Sequence, residues 1–183
     1  MAESFSNSVT RAAGIVVTYT GSTVAAGSTE ITVTANTGIG VSDLIDNQNF
    51  IAGTKVAQID GTTIYTDRNS TNAVSASNQS VKFLGPTTAY TSPSNSKTIL
   101  VGGTFSNNTN NSINLTIELY DSSVGVTSTG SVAIASKIPV PAGSGFVISD
   151  IGKTLLEGND EIRVYCDTND AVDVSLSVLT GVN

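Results

Sequence analysis

Apolar residues alternate with polar ones at period two along most of this chain, which is the spacing of half-buried β-strands rather than of helices. Ile113, Leu115, Ile117 and Leu119 share one face, while Asn114, Thr116, Glu118 and Tyr120 share the other. Val172, Val174, Leu176 and Val178 repeat that parity against Asp173, Ser175 and Ser177, as do Ile162, Val164 and Cys166 against Arg163 and Tyr165. Further strands are expected at Lys97–Phe105, Val132–Val140 and Gly145–Ser149, with turns at Asn107–Asn111, Ser122–Gly130 and Pro141–Gly143. Asp167, Thr168, Asn169 and Asp170 form a cluster of turn residues, read as a hairpin between the last two strands. About six or seven short strands over roughly 95 residues fit an antiparallel β-sandwich.

The earlier half has shorter strands and denser turns. Glu30–Ala35, Asn49–Ala52, Thr54–Asp60, Thr62–Asp67 and Ser80–Leu84 are the candidates, with Asp60-Gly61 as a tight hairpin signal. The pattern predicts a small barrel or open roll. The segment Gly14–Thr20 is apolar on both faces, which suits an internal strand or a contact with another chain. A boundary is expected at Gly85-Pro86, because proline interrupts a central strand. The expected layout is therefore an all-β chain: an N-terminal arm and strand over 1–20, a small β module over 21–85 and a β-sandwich over 86–183. A variant places the strand Gly14–Thr20 in the second unit and makes the middle module an insertion.

Composition narrows function mainly by exclusion. Val, Ile and Thr are abundant, and charged residues reach only 13 % against a typical share of about 25 %. The formal net charge is −7 with eight scattered Lys and Arg, a balance that opposes phosphate contacts and hence nucleic-acid binding. No apolar run approaches the roughly 18 residues of a membrane helix, and Met1–Thr10 has neither the basic start nor the apolar stretch of a signal peptide. The expectation is a soluble chain made in the cytoplasm.

Histidine is absent, which removes the commonest general base and metal ligand. A Ser-Lys site would have to use Ser136 with Lys137 or Lys153 with Thr154, but neighbours on a strand point to opposite faces. The single cysteine, Cys166, shares core parity and reads as a packing group, and Arg163 lies on the other face, away from the thiol. Asp167, Asp170 and Asp173, or Asp43 and Asp46, could offer oxygens to calcium, but neither stretch carries the EF-hand glycine and closing glutamate. Gly38-Ile39-Gly40 and Gly143-Ser144-Gly145 lack a P-loop lysine and read as turns. Asn69 and Asn107 fall in glycosylation sequons that an Asn- and Thr-rich chain produces by chance. No catalytic residue, cofactor or metal is expected.

Ala89-Tyr90-Thr91-Ser92-Pro93 followed by Lys97-Thr98-Ile99-Leu100-Val101 resembles the opening of a β-sandwich common in virion proteins of tailed bacteriophages, notably those of cyanobacteria. Lys137-Ile138-Pro139-Val140-Pro141-Ala142-Gly143-Ser144 is similar to that family's edge into a Pro-Ala-Gly turn, and Leu155–Val164 and Val172–Val178 are similar to its last strands. In the middle region, Gly53–Val56 and Ile59–Ile64 resemble a small module of phage fibre and surface proteins. The resemblance implies a capsid decoration, neck or tail accessory protein, present in many copies in the virion and bound to other virion proteins. It carries no catalytic residues to transfer. A receptor- or carbohydrate-binding module of a fibre or adhesin is the alternative. Two cores of under about 100 residues each, with no disulfide, are marginal alone, so a homo-oligomer is expected, with a trimer as the form the resemblance implies. The expected assembly contacts are Phe5, Val9 and Arg11 in the N-terminal arm.

Overall fold

The computed structural model describes residues 3–124, 130–149 and 154–182; part of the expected Ser122–Gly130 turn, and Lys153, lie outside these. The described residues form fifteen β-strands and a single 3-10 turn at Ser122–Val124, with no α-helix among them. The chain separates into two compact units. Unit 1 joins Met1–Gly14 to Thr87–Asn183, and unit 2 is the intervening Ile15–Pro86. The strands are β1 (Ser4–Ala13) in unit 1, then β2 (Ile15–Val24), β3 (Glu30–Thr32), β4 (Leu44–Asp46), β5 (Val56–Asp60), β6 (Thr63–Thr66) and β7 (Ala76–Gly85) in unit 2. Unit 1 resumes with β8 (Thr87–Thr91), β9 (Lys97–Asn107), β10 (Ile113–Tyr120), β11 (Ser131–Val140), β12 (Gly145–Ile148), β13 (Thr154–Leu156), β14 (Glu161–Cys166) and β15 (Val172–Val182).

Unit 1 is a sandwich of two antiparallel sheets. One runs β1-β15-β9-β12, with β13 also on β9, and the other runs β11-β10-β14-β8. Alternation dictates the core: Leu100, Phe105, Ile113, Leu115, Ile117, Leu156, Ile162, Val164, Cys166, Val174, Leu176 and Val178 are all buried in one cluster. Each large side chain among them contributes about 1.5–3 kcal/mol by leaving water. Unit 2 is a six-stranded sheet in the order β4-β7-β2-β3-β6-β5. Its ends meet: Val56 donates to the Asp43 carbonyl at 2.9 Å, Ser42 to that of Val56 at 2.8 Å and Ile45 to that of Thr54 at 2.8 Å. The sheet thus closes into a small barrel around Val24, Ile31, Val56, Ile64, Val81 and Phe83.

Three expectations are corrected. The arm expected ahead of the strand Gly14–Thr20 is itself a strand: Ser4–Thr10 pair in unbroken register with Thr180–Val174 of β15, and the chain leaves the sandwich at Gly14 to enter β2 (Ile15–Val24). Asp167–Asp170 does not close a hairpin, because β14 pairs with β10 and β8 while β15 pairs with β1 and β9. That turn carries the chain from one sheet to the other, so the apolar faces of the two strands meet across the core. Asn49–Ala52 is a turn rather than a strand, since Asn49 N–H is satisfied by Asn47 Oδ1 at 2.9 Å instead of by a ladder. The Asp60-Gly61 signal does mark the β5–β6 hairpin, whose two loop residues are Gly61 and Thr62.

The two crossings into unit 2 start side by side in unit 1. Gly14 N–H donates to Thr87 Oγ1 at 3.3 Å, and Gly14 O accepts from Asp170 N–H at 3.1 Å. Gly14 has φ +126°, and a Cβ there would lie 2.4 Å from the Thr168 carbonyl oxygen, so only glycine fits. In unit 2, buried Asp43 accepts from Gly40 N–H at 2.8 Å. Burial nevertheless raises its pKa from 3.8 to about 6, against the opposing pull of that hydrogen bond.

These features generate three predictions. Replacing Ile15–Pro86 by a short flexible linker is expected to leave unit 1 folded, because its two cut ends are adjacent; a cooperative thermal transition and retained β circular dichroism check this. Cys166→Ser is expected to cost about 1–3 kcal/mol, since a hydroxyl replaces a buried thiol in the sandwich core; urea unfolding measures it. For Asp43, the folded pKa lies above the unfolded one, so the folded barrel keeps a proton that the unfolded chain releases between about pH 4 and 6. Its stabilising contribution is full below pH 3.8 and is lost as pH rises through about 6. Asp43→Asn is accordingly expected to raise the melting temperature by roughly 3–6 °C at pH 7.5 and to do nothing comparable at pH 4.

Candidate functional site

Side chains of chemical interest converge in unit 1 at two places, the outer faces of its two sheets. On the β11-β10-β14-β8 sheet the residues opposite in parity to the core are Thr116, Glu118 and Tyr120 of β10 and Glu161, Arg163 and Tyr165 of β14. Register sets Glu118 directly opposite Arg163, Thr116 opposite Tyr165 and Tyr120 opposite Glu161. Arg163 Nε binds Glu161 Oε2 at 2.7 Å, and its guanidinium stands 3.6 Å over the Tyr120 ring. Tyr165 and Glu118 are both buried. Burial, and next the adjacent Glu118, pushes the Tyr165 phenol well above its ordinary range, so it stays protonated. Arg163 pairs with Glu161 within the sheet, the phenol is no nucleophile, and cross-strand pairs of this kind bind strands together. The cluster clamps β10 to β14.

Of the carboxylates that could offer oxygens to calcium, Asp43, Asp167 and Asp173 accept backbone N–H groups. Asp167 caps β10, its Oδ1 accepting Asn114 N–H at 3.0 Å and its Oδ2 accepting Asn114 Nδ2 at 2.8 Å. Asp173 Oδ1 accepts Ala12 N–H at 2.9 Å. That bond, with Asn108 and Arg11 nearby, holds the Asp173 carboxyl below the usual carboxylate range. Among the described residues no three His, Cys, Asp or Glu side chains converge on a common point. Lys137 sits in β11 at φ +51°, its N–H donating to Thr116 Oγ1 at 2.9 Å.

The outer face of the β1-β15-β9-β12 sheet is the exposed one. Phe5, Val9 and Arg11 all lie on it, as part of a paired strand. Phe5 stands opposite Leu179, Leu179 opposite Ile99, and Ile99 opposite Leu155, which makes one apolar row across four strands. Val9, Ser175, Thr104 and Val147 form a second row, with Asn7, Ser177 and Gly102 between the two. Phe5 is 64 % exposed, Val9 77 %, Val147 56 % and Leu155 44 %. Charges here come in opposite pairs: Arg11 beside Asp173 at one end, and Lys97 Nζ with Glu157 Oε1 at 3.1 Å at the other. Sequence reasoning singled out Phe5, Val9 and Arg11 as assembly contacts and put Asp173 on the outward parity of its strand, whereas the places of Leu155 and Val147 on this face follow only from strand register.

At the end of this face lies a polar concavity of about 740 Å³, lined by Asn108, Thr109, Asn110 and Gly143–Gly145 among others and by no aromatic ring. Asn107 builds it. Its Nδ2 donates to the carbonyls of Asn111, Val140 and Pro141 at 2.8, 2.9 and 3.1 Å, and its Oδ1 accepts from Thr109 N–H at 2.8 Å. The amide of this sequon asparagine is therefore buried and committed to the loop.

Comparison of the chain with protein-family models, with curated proteins and with solved structures finds no match.

Proposed function

We infer that the chain is a non-enzymatic structural protein of a tailed-bacteriophage virion, present in multiple copies on the capsid, neck or tail as a decoration or accessory subunit. It is made in the host cytoplasm and bound to other virion proteins and to copies of itself. The observation that carries the assembly part of this reading is the outer face of the β1-β15-β9-β12 sheet. It sets an apolar row of Phe5, Leu179, Ile99 and Leu155 on an outer face, Phe5 and Leu155 exposed and the two between them half-buried, on a chain of net charge −7. Exposed apolar residues arranged in a continuous strip mark contact surfaces, whereas scattered ones need no explanation. The phage part rests on the resemblance of Ala89–Val101, Lys137–Ser144 and Leu155–Val164 to virion sandwiches.

A second reading, a carbohydrate-binding module, is favoured by the amide-rich concavity at Asn108–Asn110. It ranks lower because sugar sites stack their ligand on aromatic rings and this one has none.

Mass spectrometry of purified particles, with copy counting, tests the first reading: a fixed stoichiometry of many copies per particle is expected, and absence from particles overturns it. Leu155→Asp combined with Val147→Asp is expected to lower incorporation at least tenfold. The melting temperature should move by no more than a few degrees, since exposed substitutions change stability by about 0.5 kcal/mol or less. Glycan-array binding that Asn110→Ala abolishes would instead favour the second.

A further inference from the structure

We propose that β1 pairs edge to edge with β1 of a second copy of this chain, antiparallel about a twofold axis at Asn7, joining the two β1-β15-β9-β12 sheets into one continuous sheet. The inference deepens the assembly reading above and rests on it for its biological role, but the pairing itself is measurable without any particle.

The first observation is that, among the described residues, β1 is the long edge of unit 1 with a regular and unguarded stretch, Ser4–Thr10. A strand edge presents unpaired N–H and C=O groups and invites another strand unless it is short, bulged or guarded by Lys or Pro. The other edges are managed in these ways. β12 and β13 have four and three residues, and β8 has five. β11 has ten, but it carries Lys137 at positive φ, Pro139 and two register shifts against β10. β1 also has ten; it is irregular between Thr10 and Ala13, with Ala12 at positive φ, but its Ser4–Thr10 stretch runs in unbroken register on β15 with neither Lys nor Pro. Among the described residues its only pairing partner is β15.

The second observation is that the outward-facing residues of this edge complement themselves. Phe5, Asn7 and Val9 share one parity within the regular stretch, Glu3 stands just before β1 and Arg11 just past Thr10 where the irregularity begins, and all five are exposed. In an antiparallel pair centred on Asn7, Glu3 of each copy stands opposite Arg11 of the other, and Phe5 opposite Val9. The remaining outward pair is Asn7 against Asn7. Moving the register by two residues sets Glu3 opposite Val9, or Phe5 opposite Arg11, and loses both matches. A shift by one residue is excluded because it turns every side chain to the wrong face. An isologous contact requires this kind of palindrome in chemistry, and opposite charges and apolar pairs directly across a ladder are the stabilising ones. The inward positions Ser4, Ser6, Ser8 and Thr10 are all small. Two of them already reach toward the neighbouring sheet, Ser8 Oγ and Thr10 Oγ donating to the Ala89 carbonyl at 3.3 and 3.2 Å.

Pairing in this way closes with two copies, so it yields a dimer in place of the trimer implied by the resemblance. Sedimentation equilibrium on the full chain is expected to show a monomer–dimer equilibrium in the micromolar range. Glu3→Arg and Arg11→Glu are each expected to raise the dissociation constant tenfold or more, because each sets like charges opposite one another. Mixing the two variants is expected to restore pairing as a heterodimer, which loss of folding could not do. Asn7→Cys is expected to cross-link to itself on mild oxidation, while Ser175→Cys, on the same face but off the axis, is not. A chain that stays monomeric to several hundred micromolar, a mixture that fails to pair, or equal cross-linking at both positions overturns the proposal. If pairing holds and the chain is nonetheless absent from particles, the virion reading falls and the edge contact stands.

Discussion

The sandwich of unit 1 depends on β15. This strand holds β1 along one side, from Ser4 opposite Thr180 to Ala13 opposite Val172, and β9 along the other, from Lys97 opposite Val182 to Asn107 opposite Val172. It also drives Val172, Val174, Leu176 and Val178 into the core. The N-terminal strand can therefore be placed only after the C-terminal one exists. The same pairing explains how a barrel of its own can stand inside the sequence of a sandwich. With Ala13 and Gly14 pinned to Ala171 and Asp170 by backbone hydrogen bonds, the chain leaves unit 1 beside the point at Thr87 where it returns. An insertion between adjacent ends costs the host little, because loop-closure entropy grows only slowly with the length inserted.

What could be read from the residues alone followed how many turns of the pattern each element had. β10, β14 and β15 run for several alternations, and their parity placed Ile117, Val164, Leu176 and even Cys166 in the core, where they are. β3, β4 and β13 have three residues each, too few to show any period. β1 escaped for another reason. Its inward side chains are Ser and Thr, which satisfy the Ala89 carbonyl rather than bury hydrocarbon, so the strand carries no apolar alternation and looks like a solvated arm. The turn at Asp167–Asp170 misled because the same residues serve a hairpin and a crossing between sheets. Which of the two occurs is decided by the partners of β14 and β15, far away in the chain. On the functional face Phe5 and Val9 were visible as apolar residues in a polar stretch, but their alignment with Leu155 and Val147 is a property of four strands in register.

The low charge content shapes how polar groups are satisfied. With few ions available, the loops are tied by amides and hydroxyls: Asn107 holds three carbonyls, and Asp160 accepts from Ser122 N–H at 3.0 Å and from Glu157 N–H at 2.9 Å. Ser92 and Tyr90 meet at Thr98 Oγ1, at 2.9 and 3.1 Å. Buried polar groups are tolerable only when bonded, and short side chains do this close to the backbone at low entropic cost. The outcome is a surface on which the few charges that remain are conspicuous. Arg11 beside Asp173, and Lys97 beside Glu157, mark the two ends of the exposed sheet face.

That distribution bears on how copies of an acidic chain can approach one another. At net charge −7 repulsion between copies is general, yet it is screened within roughly 8–10 Å at physiological salt. Contact is then governed by the local balance at the surfaces that touch. The β1 edge and the face beside it set Arg11 by Asp173 and Lys97 by Glu157, together with the largest exposed apolar side chain of the unit, Phe5. Elsewhere on unit 1 the long edge β11 is bulged and bears Lys137 and Pro139. Distant repulsion with one approach that is low in charge, apolar and regular over Ser4–Thr10 disfavours random aggregation and permits a single mode of association. A strand that is held at one edge only, and whose native pairing joins the two ends of the sequence, is also the element whose placement costs the most chain entropy. A neighbouring strand on its free edge would add backbone hydrogen bonds where the isolated sandwich has fewest.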